Sequence, residues 1–113
     1  MKLPGISKRA AQHIGRLQDK LLPEKLKKEG YIPVVMWMTD STEPDFVPGP
    51  EIGAQKRTEI PAEYIVTVHG VSVAFSLPGF LLDKYENCTL DCMEGRFIFI
   101  DETMRAFLEG GSA

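Results

Sequence analysis

Apolar and polar positions are most clearly patterned between Glu63 and Phe75, where two β-branched runs are interrupted only by His69-Gly70. A two-residue break between such runs predicts a hairpin with a tight turn. Ile65, Thr67, Val71, Val73 and Phe75 are expected to be neighbours across it and to supply a large part of the core. Upstream, Ala10, Ile14, Leu17 and Leu21 recur at helical spacing behind Ser7, whose side chain suits an N-cap. That pattern predicts a helix over Lys8 to Leu22, broken or restarted by Pro23 and closed after Glu24 to Glu29 by Gly30. Ile32 to Met38 is the most apolar stretch. It reads as a strand buried on both faces, with Pro33 near its start and Trp37 in the core.

The pattern fails between Asp45 and Pro61, where Pro48, Pro50, Pro61, Gly49 and Gly53 break any long element. Short strand pieces are expected there at Phe46-Val47 and Glu51-Ile52. Past the hairpin, Ser76 as a cap with Pro78 just inside predicts a short helix that buries Phe80 or Leu81, Leu82 and Tyr85. Thr89-Leu90 and Arg96 to Ile100 read as two further strands, with Glu94-Gly95 near their turn. A last short helix is expected from Asp101, carrying Met104, Phe107 and Leu108. The fold class is therefore mainly β, of the α+β kind: a small mixed-sheet sandwich or pseudo-barrel with an N-terminal helix packed on it. At 113 residues the chain is one domain, 1–113.

Charge removes some functions. A net charge of -3 argues against a surface that grips nucleic-acid phosphates, which needs clustered Lys and Arg. The basic residues gather at Lys8-Arg9 and Lys25 to Lys28, and read as the solvated face of helices. No apolar run approaches the roughly 20 residues of a membrane span, and the N-terminus lacks the apolar centre of a signal peptide. Two cysteines make no disulfide framework. A cytoplasmic location is the expectation, with no membrane partner.

The order of the elements and several short motifs together resemble the HesB-like family, the A-type iron–sulfur cluster carriers and their relatives. Ile6-Ser7-Lys8-Arg9-Ala10-Ala11-Gln12-His13-Ile14 is similar to the capped helix with paired alanines that opens its members. Ile32 to Met38 stands where the family has its apolar strand, and Ile65 to Phe75 resembles its strand–turn–strand around a glycine. Leu90-Asp91 and Gly95-Arg96-Phe97-Ile98-Phe99 are similar to the closing strands. The resemblance implies a β-rich scaffold and a place in iron–sulfur metabolism. Carriers of the family hold iron or a cluster through three cysteines, in a turn after the first strand and near the C-terminus. Here that turn is Met38-Thr39-Asp40-Ser41-Thr42 and the tail after Ile100 has no cysteine. None of the three ligands carries over, so no cofactor is expected from them.

The remaining candidates are read residue by residue. Cys88 and Cys92, if extended, share a face but lie roughly 13 Å apart, too far for one metal or a disulfide. On a helix they could share a metal, but Asn87 and Thr89 argue against one. Free core cysteines are the plainer reading. Asp40 with Glu43 or Asp45 forms a carboxylate group able to bind a divalent cation or act as an acid–base pair, although polar turn chemistry explains the same residues. His13 reads as a partly buried structural histidine. The Pro/Gly-rich segment 44–61, which includes Phe46 and has Tyr31 and Trp37 nearby, suits the docking of a partner chain. An exposed edge strand offers a second route, by which the protein pairs with itself as a homodimer. Three functions follow in order: a non-catalytic, diverged HesB-like protein accessory to iron–sulfur metabolism; a protein-interaction module using segment 44–61 or an edge strand; and a small divalent-metal enzyme using acidic residues at 40–51.

Overall fold

The structure, a computed structural model, describes residues 2–39, 44 and 48–101. It begins with a two-residue strand β1 (Gly5–Ile6), followed by α1 (Lys8–Leu21) and a short α2 (Glu24–Lys28). Ser7 is the N-cap of α1, and its side chain accepts a hydrogen bond from the Ala10 amide. Gly30, at φ +88°, lets the chain turn directly into strand β2 (Tyr31–Met38).

Residues 49–61 depart from expectation. Gly49–Lys56 is one continuous eight-residue strand, β3, paired antiparallel along the whole of β2 from Tyr31↔Lys56 to Met38↔Gly49. Its glycine is accommodated by its neighbour: a Cβ at Gly53 would stand 2.4 Å from Met36 Sδ. The Met36 side chain lies across that position. Pro33 sits in β2 before the parallel ladder begins at Val34, as its missing N–H requires.

Two single 3-10 turns, Arg57–Glu59 and Ala62–Tyr64, lead into strand β4 (Ile65–Val68). The expected hairpin follows: β4 pairs antiparallel with β5 (Val71–Ser76). His69 at φ +49° and Gly70 at φ +80° give both central residues the left-handed backbone of a type I′ turn. The expected face is wrong by one residue. The register sets Val66 opposite Val73 and Thr67 opposite Ser72, so Val66 and Val68 share the inner face with Val71, Val73 and Phe75. Ile65 and Thr67 point outward.

Helix α3 (Gly79–Tyr85) follows with Pro78, not Ser76, at its N-cap. It buries Leu81 and Leu82, while Phe80 is 72 % exposed. Strands β6 (Cys88–Met93) and β7 (Arg96–Asp101) close the described chain as an antiparallel pair. The expected helix after Asp101 lies outside the described residues.

These strands form two sheets, β3-β2-β5-β4 and β1-β6-β7, so the architecture is a small α+β fold of two mixed sheets. One core joins them: Ala10, Ala11 and Ile14 of α1 meet Val35, Val73 and Phe75 of the larger sheet and Leu90 and Phe97 of the smaller one. A second, smaller cluster lies on the outer face of the larger sheet. There the connection between β3 and β4 brings Ile60 over Ile32, Val34 and Ala74, with Ile65 beside it. The first half of β2 thus has a cover on each face, whereas Met36 and Met38 in its second half are exposed, so the strand is buried on both faces only up to Val35.

Candidate interaction edge

The polar feature set deepest in the fold is Asp91. Ser7 Oγ donates to its Oδ1 at 2.7 Å, Arg9 donates through Nε to Oδ1 and through a terminal nitrogen to Oδ2, and the Cys92 amide donates at 2.8 Å. The hydrogen bond from Arg9, helped by those from Ser7 and Cys92, outweighs burial and holds this carboxyl down at about 2. Every oxygen of the group is engaged, and Ser7 Oγ is also engaged in capping α1. Such a cluster fixes helix α1 to strand β6, and its function is satisfied within the chain. None of these three residues stood out as a site in the sequence, because the pairing spans 84 positions.

Cys88 and Cys92 both lie in β6 and are both half-buried free thiols. The strand reading is therefore the one that holds, and four residues of strand separate the two side chains by roughly 13 Å. Burial, and secondarily the Asp101 carboxylate, push the Cys88 thiol up, away from the thiolate that a soft metal needs. These two thiols do not fit a cluster or a single metal ion. Among the described residues no three His, Cys, Asp or Glu side chains gather closely enough to hold one. Asp40, Asp45 and Phe46 lie outside the described residues. Tyr31 opens β2, half-buried, opposite Lys56. His13 packs its ring against Phe97 at 5.3 Å, which fits the structural role read for it.

Two surface features remain. The first is a groove of about 460 Å³ past the end of the β4–β5 ladder, where Glu59, Ile60 and Tyr64 of the β3–β4 connection meet Phe75, Ser76 and Pro78. Met36 and Met38, 40 % and 42 % exposed, lie on the outer face of the larger sheet. The second is strand β4, an edge of the larger sheet whose outer side pairs with no further strand among the described residues. A two-residue turn is closed by a hydrogen-bonded pair, here Val68 with Val71, and such pairs alternate along an antiparallel ladder. Val66 and Val68 therefore direct their backbone groups at β5, and Thr67 directs its own outward. The Thr67 side chain shares a hydrogen bond with Ser72 Oγ at 3.0 Å. The Ile65 N–H is used by Ala62 O in the preceding turn. This leaves the Thr67 N–H and C=O, the Ile65 C=O and the His69 N–H directed away from the sheet. From Ile65 to Val68 the edge has no charge, no proline and no bulge, the devices by which edges are normally blocked.

No helix among the described residues is long and apolar enough to cross a membrane. Comparison with family models, with curated proteins and with solved structures finds no match to this chain.

Proposed function

We propose that this protein is a non-catalytic interaction module that binds an extended polypeptide by adding it as a strand to the edge of β4. The carrying observation is that β4 ends a sheet and that, among the described residues, its outward main-chain groups at Thr67 have no partner and no guarding residue. Strand addition draws its affinity from such groups and its selectivity from pockets beside the edge. The groove at Glu59, Ile60 and Tyr64 begins one residue before β4 and supplies such a pocket. The accessory role in iron–sulfur metabolism implied by the HesB-like resemblance has less to support it, since Cys88 and Cys92 are spread along one strand. The scaffold part of that resemblance is compatible with the binding role. The metal-enzyme reading rests on Asp40 and Asp45 and gains nothing from the described residues.

Amide exchange and chemical-shift mapping test the reading. In dilute protein the Thr67 amide should exchange quickly while those of Val66 and Val68 are protected. A capped peptide of alternating Thr and Val should then shift resonances from Ile65 to His69. A Thr67 amide already protected in the dilute protein would overturn the proposal.

A further inference from the structure

We infer that the strand which β4 takes up is β4 of a second copy, paired antiparallel about a two-fold axis through Thr67. This rests on the strand-addition reading and names its partner.

The edge matches itself group by group. With Thr67 opposite Thr67 of the partner copy, each N–H meets the other's C=O, the exchange made by a hydrogen-bonded pair in an antiparallel ladder. Two residues away, the outward C=O of Ile65 meets the outward N–H of His69 from the other copy. The one outward donor that would be left crowded, the Ile65 N–H, is already satisfied by Ala62 O. The same register sets Val66 opposite the partner's Val68 on the inner face. Both are half-buried in the single chain and pack against its core, so pairing completes their burial. On the outer face the two Thr67 side chains become neighbours, a favoured cross-strand pair.

Charge selects the direction. Glu63 stands exposed before the edge and His69 exposed after it. Antiparallel pairing brings the carboxylate end of one edge towards the imidazole end of the other, twice. Parallel pairing would set Glu63 beside Glu63. The isologous contact closes on itself and joins two four-stranded sheets into one of eight strands. With so few residues engaged the dimer is a weak one, in exchange with monomer.

Sedimentation velocity across a wide concentration range, paired with amide exchange, tests this. The wild-type mass should rise from 12.6 kDa towards twice that value, with the Thr67 amide becoming protected as it does. Thr67→Pro removes an outward N–H and leaves the β5 ladder intact, so it should remain folded by circular dichroism and stay monomeric throughout. Glu63→Lys should weaken association, and Glu63→Lys with His69→Asp should restore it by setting opposite charges at the two ends of the pairing. A wild type that stays monomeric while its Thr67 amide exchanges freely would overturn self-pairing and leave the edge to a foreign strand. A folded Thr67→Pro variant that dimerises like wild type would place the contact elsewhere and overturn the inference.

Discussion

The carboxylate of Asp91 receives both prongs of the Arg9 guanidinium, although the two residues stand 82 positions apart in the chain. The pair joins the first turn of α1 to the middle of β6, and its acid is buried while its base is 57 % exposed. Geometry of this kind is the strong form of an ion pair, moderated here by water around the guanidinium.

Acid should therefore loosen the fold in a defined window. The folded-state value of Asp91 is depressed, from 3.8 to about 2, so its contribution is complete above the unfolded value and is lost as pH falls from near 4 to near 2. After allowance for the exposed guanidinium the loss is about 1–2 kcal/mol. Urea titrations at pH 6, 4 and 2 should show that loss in wild type and a smaller one in Asp91→Asn, which begins less stable.

Ser7 serves two elements at once. Ser7→Ala removes the α1 cap and one donor to Asp91. The expected destabilisation is about 1–2 kcal/mol. Ser7→Asp would keep a cap acceptor but set two carboxylates together. Thermal melts should rank the two variants wild type above Ala above Asp.

His69 occupies the left-handed region with a ring-bearing side chain. His69→Asn gives the turn its preferred Asn-Gly pair and should stabilise the protein by about 0.5 kcal/mol, whereas His69→Val should cost about 1–2 kcal/mol. Chemical denaturation of the two variants beside wild type checks the difference in sign.

Tyr85 is the middle of three stacked rings, 5.8 Å from Trp37 and 4.4 Å from Phe99 between centroids. It joins the larger sheet to the smaller one through α3, with the Lys84 ammonium over its face. Tyr85→Ala should cost about 2–3 kcal/mol and red-shift the emission of Trp37, the chain's one tryptophan. Tyr85→Phe keeps the stack and should leave both readings close to wild type.

What could be read from the sequence was what short range decides. Ser7 before an apolar helical stripe, and His69-Gly70 between β-branched runs, each state their structure within a few residues. Strand β3 was hidden because Gly49, Pro50 and Gly53 are individually poor strand residues. Their cost is offset by full pairing with β2 and by Met36 lying over Gly53, neither visible locally. The facing of β4 was misread for a related reason. Ile65 is apolar although it points outward, because Ile60 and the β3–β4 connection give that face a cover of its own. The edge at Thr67 could be recognised only once strand order was known, and the Asp91 cluster only once β1 and β6 were side by side.

That adjacency has a consequence for synthesis. Strand β1 pairs in parallel with β6, and the Ser7 amide bonds to Leu90 O. Helix α1 leaves the ribosome with its apolar stripe made and its anchor not yet translated. Ala10, Ala11 and Ile14 gain Val35 of β2 early, but their cover from Leu90 of β6 exists only after more than half of the chain has followed. Closing α1 and β1 onto β6 is therefore a long-range step, and a partly made chain leaves part of that apolar stripe uncovered.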